Sequence, residues 1–231
     1  MYAKFLKRAM DFCLSLLALI ILSPIVLALI IIGAIVMRGN PFFVQPRPGK
    51  KDKNGNEKIF SLLKLRTMSN AKDENGNLLP DEKRLGGYGK FIRSTSLDEL
   101  PSLINILCGD LSIVGPRPQL VRDMTFMSAE QRRRHDVRPG LTGLAQVNGR
   151  NNITWEQKFE YDLKYIDDGI TFIGDVKIIL QTVGKVLKRS DTVREGTVSD
   201  MDFGDWLMSE GKVDKETYDE KQQEAKELLG V

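Results

Sequence analysis

The chain has 231 residues and a formal net charge of +3, with 28% charged and 42% hydrophobic residues, a balance ordinary for a globular chain that also carries a membrane element. Its two cysteines, Cys13 and Cys108, exclude a disulfide framework and zinc-type spacing. The basic residues cluster, which suits anionic lipid headgroups or phosphorylated substrates rather than a general nucleic-acid surface.

The first predicted element is an uncharged apolar run of 26 residues, Phe12 to Met37, bounded by Asp11 and Arg38. At about 1.5 Å per residue a helix of this length reaches across a hydrocarbon core of roughly 30 Å. Lys4, Lys7 and Arg8 precede it, and Arg38, Arg47, Lys50, Lys51 and Lys53 follow it, so both flanks favour the cytoplasmic side. Pro24 has no amide hydrogen, which leaves the Ile20 carbonyl without its helical partner, and the Ser23 hydroxyl is placed to help. Spacing alone leaves two readings: a bent helix that enters and leaves on one face, or an ordinary spanning anchor with a tolerated proline. A cleaved signal peptide fits worse, because the run is too long and no small-residue cleavage site follows.

Beyond the anchor, Phe42-Phe43-Val44 and Ile59 to Leu65 read as strands around a turn-rich stretch, Arg47 to Asn56, and Asp73 to Pro80 reads as a polar loop. Leu97, Leu100, Leu103, Ile104 and Leu107 carry helical spacing that stops at Gly109. Ser128-Ala-Glu-Gln131 and Thr154-Trp-Glu-Gln157 are capping-box patterns, the second opening a helix with Phe159, Leu163 and Ile166 on one face. His135 reads as a solvated helix residue. Asp175 to Arg189 is a basic amphipathic helix, suited to the membrane interface or to packing on its own domain. From about Lys212 the chain reads as an exposed helix or frayed tail. The expected organisation is a membrane helix with its flank over 1–38, a mixed α/β, helix-rich cytoplasmic domain over 39–200, and a charged tail over 201–231.

Several side chains could do chemistry. Lys64 and Arg66, two apart in a strand, project from one face. Arg117 stands between Pro116 and Pro118, which stiffen the arm that presents it. Arg138 and Arg150 sit beside tight turns. Arginine forks match phosphate oxygens, so these cations together point to a pyrophosphate site. Asp98 and Glu99 open the predicted helix. Ser96-Leu-Asp-Glu99 is itself a capping-box pattern, though Pro101 fits better if Asp98 is the cap. An ionised Asp98, favoured near a helix N-terminus, could instead attack phosphorus to give an acyl phosphate, with Glu99 managing protons or a metal.

Together these stretches resemble the bacterial sugar transferase family, the small monotopic phosphoglycosyl transferases, and especially its short diacetylbacillosamine phosphate transferase type. The matching motifs are Lys7-Arg8 with Asp11, Ser23-Pro24, Arg47-Pro-Gly, Lys64-Leu-Arg-Thr-Met68 and Arg93-Ser-Thr-Ser-Leu-Asp-Glu-Leu. Gly109-Asp-Leu-Ser-Ile-Val-Gly-Pro-Arg-Pro118 and Arg138-Pro-Gly-Leu-Thr-Gly-Leu-Ala-Gln-Val-Asn-Gly-Arg150 follow, so the similarity covers roughly residues 1–198.

The resemblance implies transfer of a sugar 1-phosphate from a UDP-sugar to polyprenol (undecaprenyl) phosphate, with release of UMP. Asp98 would be the nucleophile, Glu99 its dyad partner, and Lys64, Arg93, Arg117 and Arg150 the basic residues of the site. Arg66, Arg138 and Gln146 are further substrate or phosphate contacts, and Asp98 and Asp162 would hold Mg2+. The resemblance also implies a re-entrant helix broken at Ser23-Pro24, in a bacterial inner membrane with the catalytic domain in the cytoplasm. Membrane lipid is the implied surface, and a homodimer and downstream glycosyltransferases are the implied protein partners. Two rivals stand beside this reading: a glycosyltransferase using Asp200-Met-Asp202 for metal, and a membrane-anchored scaffold without turnover.

Overall fold

The computed structural model describes residues 2–149, 152–188 and 201–230, and the side chains among them except those of residues 187 and 188. A π-helical turn, Tyr2–Leu6, leads into α1, Lys7–Val36. This helix is long and apolar enough to cross a bilayer, and most of its surface is open: Ile20 and Ile21 are 63% and 64% exposed. The helical backbone runs on through Pro24. The Ser23 hydroxyl donates to the Ile20 carbonyl at 2.8 Å, replacing the amide that the proline lacks.

Both halves of α1 lie against the rest of the chain. At the start, Arg8 donates to the carbonyls of Ile106 and Leu107, and buried Asp11 accepts from the Ser112 hydroxyl at 2.6 Å and the Ile113 amide at 3.1 Å. Ala18 and Leu19 pack on Phe60, Leu62, Leu103, Ile106 and Leu111. Further along, Leu29 packs with Leu65 and Ile92, and the Tyr88 hydroxyl donates to the Leu29 carbonyl at 2.9 Å.

β1, Phe42–Lys51, and β2, Glu57–Leu65, form an antiparallel hairpin with Phe42 opposite Leu65 and Arg47 opposite Phe60. The first strand is longer than expected and the turn shorter. In a two-stranded ribbon β1 is an edge, so Pro46 and Pro48 are tolerated, and an irregularity between Pro48 and Lys51 absorbs the mismatch. In the polar loop, the Asp73 carboxylate accepts from the amides of Asn75 and Asn77, ahead of α2, Asp81–Arg84, and α3, Gly87–Ser94.

The helix expected from Leu97 to Gly109 is divided. A 3-10 turn covers Leu97–Glu99, and α4 begins at Ser102 and ends at Cys108. Pro101 sets the restart, and Gly109, at φ 90°, supplies the left-handed stop. Ser96 is itself left-handed at φ 56°, so it does not adopt the extended backbone of an N-cap, and its side chain makes no capping bond. Asp98 therefore stands in a separate turn, ahead of a seven-residue helix, where little helix dipole reaches it.

β3, Ser112–Val114, pairs in parallel with β4, Gly140–Thr142. Between them come α5, Val121–Met124, and a 3-10 turn, Gln131–Asp136; α6, Leu144–Val147, follows β4. The Ser128–Gln131 box makes both of its bonds, but it opens that 3-10 turn. Thr154 and Gln157 cap α7, Trp155–Asp167, reciprocally as expected. His135 is not solvated: it is 3% exposed and meets Glu57 on β2, a partner distant in sequence.

α8 runs from Phe172 to Lys188 and serves both readings of its pattern on different faces. Ile178 packs with Val114, Val147 and Tyr165, while Ile173, Leu180 and Val183 are 80%, 66% and 52% exposed. Buried Asp175 ties this helix to the N-terminal flank through Lys7 at 2.6 Å and Tyr2 at 2.7 Å, and to α7 through Tyr165 at 2.8 Å. The C-terminal segment is more than a charged tail. α9, Phe203–Ser209, buries Phe203 against Met127, Trp155 and Phe159, and only α10, Lys215–Leu229, is largely exposed.

Candidate active site

Three glycines bring two loops together. A Cβ on Gly140 would stand 2.1 Å from the Gly115 amide nitrogen, and one on Gly143 would stand 2.1 Å from the Gly115 carbonyl oxygen. Val-Gly-Pro-Arg-Pro and Arg-Pro-Gly-Leu-Thr-Gly therefore back onto each other with no room for side chains. Arg117 leaves this junction on its proline-stiffened arm. The arm is also held from behind: Arg134 donates to the Arg117 carbonyl at 2.6 Å, and Arg47 donates to the Pro118 carbonyl at 3.1 Å.

A second set of bonds fixes the Asp98–Glu99 turn on β2. Asn105 of α4 accepts from the Leu63 amide at 3.0 Å and donates to the Ser61 carbonyl at 2.8 Å, and the Ser102 hydroxyl donates to the Leu63 carbonyl at 2.7 Å. This stitching puts Glu99 under the strand that carries Lys64. One oxygen of Glu99, Oε1, accepts from Lys64 at 2.9 Å and from Arg117 at 2.8 Å. Burial alone would raise the Glu99 carboxyl, but the two cations outweigh it and hold Glu99 well below the usual range. Burial also lowers the Lys64 ammonium, against the pull of Glu99.

Asp98 behaves oppositely. Burial, and then the neighbouring charge of Glu99, push its carboxyl up to about 6, against the attraction of Lys64, Arg117 and Arg93. It makes no hydrogen bond among the described residues. Arg93 donates to the Thr67 hydroxyl at 3.0 Å.

Asp98, Glu99, Lys64, Arg66, Arg93 and Arg117 all line one cleft of about 1150 Å3, together with Gln146 and Asp162. Of the remaining expected residues, Arg138 turns elsewhere: its Nε donates to the Gly109 carbonyl at 2.8 Å, so with Arg8 it closes the end of α4. Arg150 lies outside the described residues, as does Asp200. Asp162 is engaged by Arg134, a pair whose side chains are 2% and 1% exposed.

Among the described residues no group of three or more histidines, cysteines and carboxylates could hold a metal. Magnesium ordinarily takes one or two carboxylates and completes its shell with phosphates and water. Asp98, opening on the cleft, fits one such carboxylate, whereas Asp162 is buried with its Oδ2 held by Arg134.

Sequence reasoning missed three things. Arg47 is half-buried in the cleft wall, where desolvation and then Arg117 lower its guanidinium to about 10. Arg134 supports Arg117, yet nothing in the run Arg132-Arg133-Arg134 separates it from its neighbours: Arg133 is a surface residue bonded to Glu130 and Asp167. Glu57 joins His135 and Arg132. Burial and the adjoining arginines bring His135 down to about 4, despite the opposing pull of Glu57.

The chemistry open to this cleft follows from its charges. A carboxylate mostly ionised at neutral pH stands beside a row of cations, an arrangement able to bind a diphosphate and offset charge that develops on phosphoryl oxygens during attack at phosphorus.

A family model described as bacterial sugar transferase matches residues 2–189. The chain is 47% identical over 182 residues to the Bacillus subtilis protein named uncharacterized sugar transferase EpsL, covering 79% of this chain and 87% of that one. It is 39% identical over 187 residues to the UDP-glucose:undecaprenyl-phosphate glucose-1-phosphate transferase of Klebsiella pneumoniae, covering 78% of this chain and 39% of the relative. To the undecaprenyl-phosphate galactose phosphotransferase of Salmonella typhimurium it is 33% identical over 200 residues, covering 81% and 41%. The chain thus spans most of the first relative and about two fifths of the other two.

Proposed function

The chain belongs to the bacterial sugar transferase family, and on that premise we propose that it transfers a sugar 1-phosphate from a UDP-sugar to polyprenol phosphate. The printed activities of the Klebsiella and Salmonella relatives support the donor and acceptor classes. One observation carries the reading: an ionisable Asp98 opens on the cleft that also holds Lys64, Arg66, Arg93 and Arg117, while Glu99 stays anionic between Lys64 and Arg117.

The reaction has two halves. The Asp98 carboxylate attacks the β-phosphorus of the UDP-sugar, the bond from that phosphorus to the bridging oxygen breaks, and UMP leaves with the electron pair. A phosphate oxygen of the polyprenol phosphate then attacks the same phosphorus, and the Asp98 carboxylate departs to leave a polyprenyl diphosphate sugar. Lys64, Arg93 and Arg117 offset charge on the phosphoryl oxygens in both halves. Glu99 holds Lys64 and Arg117 in place, and its negative charge keeps Asp98 more basic than an ordinary carboxylate. Magnesium, held at Asp98 and the substrate's phosphates, would supply further charge neutralisation.

The membrane side of the proposal is a re-entrant α1 in a bacterial inner membrane, with the catalytic domain on the cytoplasmic face. Support comes from the two attachments of α1 to one domain, near Asp11 and near Leu29, and from basic residues on both flanks. The outward apolar residues of α8, Ile173, Leu180 and Val183, suit the same interface.

Intact-mass measurement after incubation with a UDP-sugar tests the first half: a phosphosugar adduct is expected, and an equal adduct in Asp98→Asn would remove Asp98 as the nucleophile. Release of UDP in place of UMP would favour a simple glycosyltransferase.

A further inference from the structure

The family match ends at residue 189, yet Met201 and Asp202, just ahead of α9, line the same cleft as Asp98. Their seat is built into the core. Phe203 is 3% exposed and packs edge-on against Phe159 with ring centroids 5.0 Å apart. Its amide donates to Asp123 at 2.8 Å, and Trp155 Nε1 donates to the Met201 carbonyl at 3.2 Å. Asp202 pairs with Arg122.

Beside this seat, two buried residues of the cleft wall each leave an acceptor without a partner among the described residues: Oε1 of Gln146 and Oδ1 of Asp162. These residues are 6% and 2% exposed. A buried acceptor left without a donor is unfavourable until one reaches it. The wall therefore differs from the Lys64–Arg117 side: its carboxylates are already paired with arginines and Lys158 stands among them, so what it leaves unmet is acceptor oxygen suited to neutral hydroxyls.

We infer that this wall, made by Gln146, Asp162 and Asp202, reads the hydroxyls of the donor's sugar, with Asp202 a specificity-determining residue supplied from beyond the family match. The inference rests on the UDP-sugar reading above. The polyprenol chain is a poor occupant, since it would meet polar oxygens. The nucleoside also carries hydroxyls, so the test must separate the two ends of the donor.

Calorimetric titration of the full chain with UMP and with a panel of UDP-sugars does so. Asp202→Asn is expected to weaken the preferred UDP-sugar about tenfold while leaving UMP within about twofold. Asp205→Asn is the control, because Asp205 also faces Arg122, at 3.7 Å, but does not line the cleft; it should leave both affinities in place. Equal weakening of UMP and UDP-sugar would assign the wall to the nucleoside and overturn the proposal. So would an equal effect of Asp205→Asn, or an unmodified chain that binds no UDP-sugar more tightly than UMP. A chain that selects sugars through Asp202 but releases UDP would sink the transfer reading and leave the sugar wall standing.

Discussion

The Lys64–Glu99–Arg117 cluster and the Arg134–Asp162 pair are both cation–carboxylate contacts, and they support the same arginine arm. Their surroundings differ. In the first, a single oxygen of Glu99 serves two cations, and the Arg117 side chain is 42% exposed to the cleft. In the second, both partners are removed from water and the guanidinium also holds the Arg117 carbonyl. An ion cluster open to the cleft can exchange partners when a phosphate arrives. The Arg134–Asp162 pair, buried in the cleft wall, cannot exchange partners cheaply, so it fixes position.

Four changes would break or sharpen that contrast. The largest effect belongs to Asp98→Asn, which should lower UMP release at least about a thousandfold. The same variant should lack one pH-dependent part of stability. Asp98 is raised to about 6 in the folded chain, so its contribution is present below the ordinary carboxylate range and lost as pH rises through about 6. The unmodified protein should therefore gain thermal stability between pH 7 and pH 5 through this group, and the asparagine variant should lack that gain.

Next is Asp162→Asn, which strands the Arg134 guanidinium and should cost about 3–5 kcal/mol in denaturant unfolding. A cost near zero would mean that the pair is not the rigid half of the comparison. Glu99→Gln should act more gently on the fold and more sharply on the titration. Removing its charge relieves the repulsion that raises Asp98, so the acid limb of kcat/KM should move below about pH 6 while the rate falls. An unmoved limb would show that burial alone sets Asp98. The smallest effect is expected from Ser23→Ala, which removes the bond to the Ile20 carbonyl and should cost about 1 kcal/mol in a bilayer, with kcat unchanged.

What the sequence disclosed was whatever its local pattern encodes. Short apolar runs around a turn-rich stretch gave the two strands of the hairpin, the proline pair gave the stiff Arg117 arm, Gly109 gave a helix stop, and Ser23 gave the repair at Pro24. What it concealed were contacts between distant positions. Arg134 meets Asp162, His135 meets Glu57 and Arg47 reaches Pro118, and no spacing rule joins these pairs. Pro101 was visible, but its division of the helix depended on Ser96 turning left-handed. Phe203 was hidden by a polar setting, because only the folded core shows that Trp155 and Phe159 await it.

The bond from Asp11 to Ser112 and Ile113 carries a consequence for how this enzyme responds to its solvent. Ser112 begins β3, β3 pairs with β4, and the glycine junction that aims Arg117 follows directly. The membrane helix and the arginine arm therefore belong to one cooperative unit of folding. On the proposed membrane placement, lipid acts as a stabilising ligand of the loop that carries Arg117, so a detergent that loosens α1 should raise hydrogen exchange in β3 and slow turnover together, with no change to any residue in the cleft.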